Sequence, residues 1–187
     1  MSALLPLAQL RGPRVRLRPF GAADRHALLR LHADPRALRY WSHGPWTDVA
    51  QADALLRRDA EGAASGVRLA VEHQGTVVGS VSLFAWSESN RRAELGYLLD
   101  PTWWGRGLAR EAVTLALDHV FGTVGAHRME ADTDPRNTGS VRLLEALGFR
   151  REGLLRERWI VEGEVSDSAL YGLLAREWTA RRAPTAP

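Results

Sequence analysis

Lysine and cysteine are both absent from the 187 residues of this chain, and isoleucine occurs once, as Ile160. Without cysteine the chain has no disulfide framework, no thiolate metal site and no thiol nucleophile. Without lysine it has neither the phosphate-binding lysine of a P-loop nor the amine that a Schiff-base mechanism requires. No set of histidine, aspartate and glutamate residues has the spacing of metal ligands, so no metal is expected.

Long apolar runs are also missing, since none approaches the roughly 20 residues that a membrane-spanning helix needs. The opening segment MSALLPLAQLRGPR is too weakly apolar for a secretory signal, so we expect a cytoplasmic protein with no membrane partner. All 25 basic residues are arginine, and they are scattered among 22 acidic residues to give a net charge of +3. Nucleic-acid binders concentrate basic residues on one stripe, so no nucleic-acid partner is expected.

Hydrophobic periodicity divides the chain into short elements of both types. Alternation predicts strands at residues 14–20, 67–73, 76–84, 92–99, 127–133, 152–161 and 165–174. Helical spacing predicts helices at residues 22–33, 47–61, 108–121 and 137–147. The order β-α-α-β-β-β-α-β-α-β-β lacks the strict alternation of a doubly wound sheet, and it predicts one mixed α/β (α+β) layer structure.

The segment DPTWWGRGLAREAV, residues 100–113, runs from bulky aromatic residues through a Gly-Arg-Gly turn directly into a helix. Glycines let the backbone approach a ligand closely, and the first N–H groups of a helix have no partners within it. Together with the positive end of the helix dipole, these groups predict a site for phosphate or pyrophosphate. The alternative is a tight turn that needs glycine for its own sake. Arg110 occupies the place of the third glycine of a Rossmann fingerprint, which excludes that motif.

Four segments in sequence order resemble the GCN5-related N-acetyltransferase (GNAT) superfamily. They are RVRLRPFGAADRHAL, AELGYLLDPTWWGRGLAREAV, NTGSVRLLEALGFRREGLLRE and DSALYGLLAREW. The branch that the chain resembles most is that of the ribosomal-protein N-terminal (alanine/serine) acetyltransferases and their relatives that act on small amines. The resemblance implies a mixed, mostly antiparallel central sheet with helices on both faces. It covers residues 12–178, which implies a single domain with flexible termini at residues 1–11 and 179–187.

The resemblance implies that acetyl-CoA is the acetyl donor and that the glycine-rich turn holds its pyrophosphate. In the family pattern Q/R-x-x-G-x-G/A, Gly107 and Ala109 fill the small positions, while Trp104 replaces the usual Gln or Arg. We expect the replacement to matter little, because backbone N–H groups make the main contacts. The preceding strand is expected to splay from its neighbour and to pair with the pantetheine arm. The implied cofactor-binding residues are Leu98, Leu99, Trp104, Gly105, Arg106, Gly107, Leu108, Ala109, Arg110, Asn137 and Ser140.

Acetyl transfer requires a neutral amine, a positioned thioester and a way to protonate the leaving thiolate. Glu94 is the expected catalytic base, acting through water, because strand alternation places it on the same face as Gly96 and Leu98. The alternative for Glu94 is a structural ion pair with one of the many arginines. Asn137 matches the asparagine that contacts the pantetheine arm in the family, and a helix N-cap is a second role that can coexist with it.

The acid that protonates the thiolate is harder to assign. Many superfamily members carry a tyrosine seven residues after this asparagine, and here that position is Leu144. The resemblance leaves Ser140 as the expected acid, with Tyr97, Tyr171 or solvent as alternatives. The missing tyrosine also motivates a second function from another class, a module that binds acyl-CoA with lost or very slow catalysis.

The acceptor side is expected to involve Trp46 and Trp86, because the family builds its substrate mouth from the segment around the first two helices and nearby loops. Trp41 and His43 lie in the same aromatic loop; packing is the favoured role for Trp41, and His43 is expected to be a loop residue rather than a ligand. The carboxylates near this mouth, Asp48, Asp53 and Glu88, are accompanied by Arg36 and Arg39. That balance favours a peptide N-terminus or a small neutral amine over a polyamine. A homodimer through the edge of the C-terminal strand pair is a further possibility.

Overall fold

The computed structural model describes residues 9–61 and 66–182. Its strands are β1 (Leu10–Arg11), β2 (Val15–Pro19), β3 (Val67–His73), β4 (Thr76–Ser87), β5 (Arg92–Leu99), β6 (Arg128–Thr133), β7 (Arg150–Val161) and β8 (Glu164–Leu174). Its helices are α1 (Arg25–Ala33), α2 (Pro35–Leu38), α3 (Val49–Ala60), α4 (Leu108–His119), α5 (Thr138–Leu147) and α6 (Ala175–Arg182). No helix among the described residues is long and apolar enough to cross a membrane.

The eight strands form a single sheet in the order β1-β2-β3-β4-β5-β6-β8-β7. β5 and β6 run parallel, whereas the other neighbouring pairs of the described sheet are antiparallel. The prediction of a mixed, mostly antiparallel sheet is therefore confirmed. Two hairpins close on dipeptides with positive φ, Gln74-Gly75 and Glu162-Gly163. This geometry matches the twist of the strands they join.

Helices cover both faces of the sheet, as expected. The larger core cluster packs α4, α5 and Trp178 of α6 against one face, with side chains such as Leu108, Leu117 and Leu144 almost fully buried. On the other face, Leu31 and Leu38 pack against Ala70, Val77 and Leu98 of the strands. Because strand side chains alternate between faces, β5 contributes to both cores.

Several element boundaries differ from the sequence prediction. The first helix ends at Ala33, as predicted, but Pro35 then begins the short helix α2, where Asp34 accepts a hydrogen bond from the backbone N–H of Arg36. The helix predicted from residue 47 begins at Val49, because its N-cap is Asp48, whose side chain accepts from the N–H of Ala50 at 2.8 Å. The α-helical geometry of α4 ends at His119, and residues 120–124 continue as a wider π-type turn.

Regular structure also extends past the predicted domain limits at both ends. Leu10–Arg11 pairs with β2, and residues 179–182 continue α6. α6 was missed because its own sequence is weakly amphipathic. Tertiary contacts hold it instead: Trp178 and Arg182 both donate to Asp118 of α4, and Arg181 donates to the carbonyl of Ala146.

Candidate active site

β5 and β6 separate halfway along their length. Their parallel pairing covers Arg92, Ala93 and Glu94 of β5 and stops there, although β5 continues to Leu99. β4 carries a register shift between Phe84 and Ser87, opposite the same part of β5. The predicted splay is thus present. It leaves the edge of β5 beyond Glu94 without a strand partner on the β6 side.

The backbone groups on this open edge follow from the register with β4. Asp100 donates its backbone N–H to the carbonyl of Val78 in β4. Hydrogen-bonded pairs alternate with non-bonded pairs along an antiparallel ladder, so the next hydrogen-bonded pair is Leu98 with Ser80 of β4. Tyr97 and Leu99 consequently direct their N–H and C=O groups away from β4, toward the open side. Of the two backbone contacts expected for the pantetheine arm, Leu99 is positioned for the role, and the backbone of Leu98 is directed to β4.

The glycine-rich turn adopts the geometry that its sequence requires. Gly105 and Gly107 have φ values of +73° and +75°, and Gly107 is the N-cap residue of α4. No side chain caps this helix start, so the first N–H groups of α4 point outward. A left-handed conformation costs other residues about 1–2 kcal/mol, which is the reason for glycine at these positions.

Two side chains, those of Arg14 and Trp104, hold the turn in place through hydrogen bonds to backbone carbonyls. Arg14 donates to the carbonyl of Arg106 at 2.8 Å and forms an ion pair with Glu111 at 2.7 Å. The indole N–H of Trp104 donates to the carbonyl of Leu99 at 2.8 Å, which links the turn to the open strand edge. The position where the family has Gln or Arg therefore has a structural role here. The braced turn, its free N–H groups and the exposed Arg106 and Arg110 fit the charge of a pyrophosphate.

Glu94 lies at the last paired position before the splay. Burial raises its pKa, and the negative charges of Asp132 and Glu130 raise it further, against the opposing effect of Arg92 and Arg158. Among the described residues no arginine forms an ion pair with Glu94, whereas Glu130 is paired with both Arg92 and Arg128. The structural ion pair considered for Glu94 is thus not found in this part of the chain.

Asn137 and Ser140 lie in the first turn of α5, across the splay from β5. The side-chain carbonyl of Asn137 accepts from the N–H of Ser140 at 3.2 Å, which makes Asn137 the N-cap of the helix. The hydroxyl oxygens of Ser140 and Tyr97 are 2.7 Å apart. Two of the candidate acids are therefore hydrogen-bonded to each other. Leu144 is 1% exposed and belongs to the core.

A cavity of about 1080 Å³ opens on the Glu94 side of the sheet. Its walls come from the loop after α2, from α3, from β3 to β6 and from the β7–β8 hairpin. Its aromatic lining consists of Tyr40, Trp41, Trp46, Phe84, Trp159 and the imidazoles of His32 and His43. Trp46, one of the two residues expected on the acceptor side, therefore lines this cavity. Trp86 is outside the cavity lining, packs against the core and donates its indole N–H to Glu88.

Three rings are stacked along one wall of this cavity. The three rings are nearly parallel and form a compact group: the His32 centroid lies 4.2 Å from that of Trp46 and 5.3 Å from that of His43, and the His43 and Trp46 centroids are 5.6 Å apart. His43 donates to the carbonyl of Gly44, and its other ring nitrogen lies 3.3 Å from His32. Burial lowers the pKa of His32 to about 3, so this ring is neutral. His43 is part of the wall, and sequence reasoning missed His32 because an isolated histidine on a helix gives no signal.

The acidic side chains that line the cavity differ from those expected. Asp48 caps α3, Asp53 pairs with Arg25, and Glu88 binds Trp86. The carboxylates in the lining are Asp59, Glu94, Asp132, Asp134, Glu162 and Glu164. Most are compensated by arginine; within the described ranges only Glu94 and Glu162 form no ion pair.

One group of residues connects three parts of the cavity mouth, and we call it the mouth bridge: Arg39, Tyr40, Arg136 and Glu164. Arg39 and Arg136 both bind Glu164, at 2.7 and 2.8 Å, and both guanidinium groups lie near the ring of Tyr40. The bridge joins the loop after α2, the β6–α5 loop and the β7–β8 hairpin. Across residues 9–61 and 66–182, no cluster of His, Asp or Glu side chains is arranged to hold a metal ion.

The sequence matches the model of the acetyltransferase (GNAT) domain over residues 14–150. The uncharacterized N-acetyltransferase p20 of Bacillus licheniformis is 34% identical over 169 residues, which cover 88% of this chain and 95% of that protein. The spermidine N(1)-acetyltransferase of Escherichia coli (strain K12) is 26% identical over 89% of both chains. The ribosomal protein uS5 alanine N-acetyltransferase of the same organism is 36% identical over 88 residues, 47% of this chain and 45% of that protein.

A solved structure of a GCN5-related N-acetyltransferase from Brucella melitensis has the same fold. It superposes with a TM-score of 0.84 and 26% identity, covering 95% of this chain and 83% of that one.

Proposed function

The chain belongs to the GNAT acetyltransferase family, and from this premise we propose that it transfers an acetyl group from acetyl-CoA to the primary amine of a small acceptor. The observation that carries the proposal is the position of Glu94. It lies at the point where β5 and β6 part, it has a raised pKa, and it faces a cavity lined by aromatic rings. A carboxylate of this kind suits proton abstraction better than a structural role.

The proposed donor site uses the residues around the splay. The N–H groups at the start of α4 and the side chains of Arg106 and Arg110 would hold the pyrophosphate. The backbone groups of Tyr97 and the N–H of Leu99 would pair with the amides of the pantetheine arm, since the carbonyl of Leu99 already accepts from Trp104, and Asn137 would contact the same arm. This arrangement brings the thioester into the gap between β5 and β6, beside Glu94.

The acceptor enters as an ammonium ion, so two protons must leave its nitrogen during the reaction. The first passes to Glu94, directly or through water, and frees the lone pair of the nitrogen. The amine nitrogen then forms a bond to the acetyl carbon, the carbon–sulfur bond breaks, and the sulfur leaves with its electron pair, while the second proton passes from the nitrogen to solvent. The raised pKa of Glu94 makes it a stronger base than an ordinary carboxylate, which favours the first transfer near neutral pH.

A small amine is the favoured acceptor because of the size and the lining of the cavity. Its volume of about 1080 Å³ corresponds to a small-molecule site, and aromatic faces attract the cationic form of an amine. Among the described residues, only two carboxylates of the lining, Glu94 and Glu162, form no ion pair with an arginine, which favours an acceptor with one or two ammonium groups. Spermidine has one charge more, although a spermidine N(1)-acetyltransferase is among the relatives.

A peptide N-terminus is the second candidate acceptor. The 36% identity with the ribosomal protein uS5 alanine N-acetyltransferase supports it, although that match covers less than half of either chain. An extended N-terminus would have to pass the mouth bridge to reach Glu94.

The test is thiol release from acetyl-CoA with a panel of monoamines, diamines, spermidine, aminoglycosides and short peptides with free N-termini, beside a CoA thermal-shift assay. Turnover with small amines supports the proposal, and turnover with peptides alone supports the second candidate. A thermal shift without turnover supports an acyl-CoA-binding module. No thermal shift would contradict the donor site itself.

A further inference from the structure

The hydrogen bond between Tyr97 and Ser140 joins the two sides of the splay. Tyr97 belongs to β5, beyond the last residue paired with β6, and Ser140 lies in the first turn of α5, which follows β6. Their hydroxyl oxygens are 2.7 Å apart, and the hydroxyl of Tyr97 also approaches the backbone carbonyl of Ser140 at 3.4 Å. Side-chain hydroxyls from two distant segments thus meet beside the gap assigned to the thioester.

The protonation state of Tyr97 restricts what this pair can do. Burial raises the pKa of Tyr97 to about 12. A thiol has a pKa of about 8.5, so full proton transfer from this phenol to a thiolate would be unfavourable by roughly three pKa units. Tyr97 is therefore a poor general acid. It remains protonated, however, and it can donate a hydrogen bond at every working pH.

Tyr97 and Glu94 act from opposite sides of the same strand. They are three residues apart, so their side chains point to opposite faces, about 10 Å apart along β5. Glu94 faces the acceptor cavity, whereas Tyr97 packs on the face that carries α4 and α5. A thioester in the gap would present its carbonyl carbon to one side and its sulfur to the other.

We propose that Tyr97 is a positioning residue for the leaving group: its hydroxyl donates to the oxygen of Ser140 and so directs the hydrogen of Ser140 toward the departing sulfur. The inference rests on the proposed function, since it needs CoA in the splay. Ser140 then stabilises the thiolate by a hydrogen bond that is strengthened by the one behind it. The thiolate later takes its proton from solvent, so neither hydroxyl loses its own.

This arrangement accounts for the missing tyrosine of α5. The position at which many superfamily members carry it, Leu144, is 1% exposed in the core cluster. The phenol near the gap comes instead from the strand, and it reaches the sulfur through Ser140.

The test measures the thiol pKa of bound CoA, which needs neither turnover nor an identified acceptor. CoA is bound to the wild type, Y97F, S140A and the double variant, and its thiolate is followed by ultraviolet absorbance across a pH titration. We expect S140A to raise the thiol pKa of bound CoA by about one to two units and Y97F by about half a unit to one unit. In the double variant, Y97F should add nothing to S140A, because Tyr97 acts through Ser140.

Each other result is decisive. Equal thiol pKa values in the wild type and Y97F, or an effect of Y97F that persists in the S140A background, would overturn the role of Tyr97 while leaving the donor site intact. Failure of the wild type to bind CoA would overturn both this inference and the proposed function. Loss of CoA binding in Y97F alone would assign Tyr97 to packing and would also overturn the inference.

Discussion

Glu94 stands opposite Glu130 in the last register pair of the parallel β5–β6 ladder. Glu130 is neutralised by Arg92 and Arg128, whereas no arginine in the described chain is paired with Glu94. Two carboxylates at adjacent positions of one sheet therefore have different environments. Glu130 is held in ion pairs, whereas Glu94 forms none in the described chain and lies at the point where the strands part.

Glu94→Gln should remove the base without disturbing the donor site. We expect the turnover number to fall by roughly 10²–10⁴, because the amine then loses its proton acceptor, while the affinity for CoA stays unchanged. Steady-state kinetics and CoA titration measure the two quantities. Glu145→Gln, an exposed carboxylate on α5, is the matched control and should retain full activity. A loss below about threefold in E94Q would exclude Glu94 as the base.

The pH profile should report the raised pKa of Glu94. A base is active when unprotonated, so kcat/KM should rise with pH through a limb that lies above the ordinary range of a glutamate. Asp132→Asn removes a negative charge that contributes to the shift, and it should move the limb to lower pH. Asp118→Asn, which changes a carboxylate between α4 and α6, should leave the limb in place. If the rise of kcat/KM with pH occurs at the same pH in D132N as in the wild type, a group other than Glu94 is responsible for it.

Gly107→Glu should abolish binding of the pyrophosphate, since it introduces a side chain and a negative charge into the cradle. Gly107→Ala separates the charge from the rest, because it carries the strain of a residue at φ +75° and a 3.3 Å approach of its Cβ to Arg14 Nη2, but no negative charge. We expect acetyl-CoA affinity to fall far more in G107E than in G107A. Acetyl-pantetheine, which has no pyrophosphate, should bind both variants about equally. Equal weakening of both ligands by the glutamate would place the diphosphate elsewhere.

Glu164→Gln should weaken the mouth bridge, because Arg39 and Arg136 then lose the carboxylate they share. Both arginines are half exposed, so we expect little change in the melting temperature. The ratio of kcat/KM for peptide acceptors to that for small amines should rise by about threefold or more. Glu157→Gln, on the exposed strand β7, serves as the control. An unchanged ratio would show that the bridge does not restrict access.

Leu144→Tyr should fail to restore the proton donor that the family pattern would place there. Leu144 is 1% exposed, so the larger ring overpacks the core, and the free energy of unfolding should fall by about 1–3 kcal/mol. Leu144→Met, which conserves volume, should cost less than about 1.5 kcal/mol. Urea unfolding measures both. A stable L144Y variant with a raised turnover number would contradict the assignment of this position to the core.

Local sequence patterns determined most of the fold. Alternation located the long strands, and helical spacing located α1, α3, α4 and α5, since both signals depend on residues close together in the chain. The glycine turn at residues 104–109 and the N-cap at Asn137 were also readable, because each conformation needs a particular residue type. The helices α2 and α6 were missed because their formation depends on capping by Asp34 and on contacts with Asp118.

The candidate site was only partly readable from sequence. The sequence singled out Glu94, Ser140 and the turn before α4 as candidates, through motifs in which a few adjacent residues carry the chemistry. For Trp86 it left open whether the ring packs or faces a cavity, because proximity in the chain does not decide this. The acceptor side depends on contacts between segments that are far apart in the chain, such as Arg39 with Glu164.

The sequence by itself determined the order of the main strands and helices, the family and the glycine turn before α4, since propensity, periodicity and glycine geometry are properties of short segments. Only the tertiary structure decided that Glu94 forms no ion pair with an arginine of the described chain and that the hydroxyl of Tyr97 is hydrogen-bonded to Ser140. It also decided that Trp46 and His32 stack in one wall of the cavity. The physical reason is that a pKa, a hydrogen-bond partner and a cavity wall depend on distances in space. In this chain, pairs such as Tyr97 and Ser140 are separated by more than forty residues.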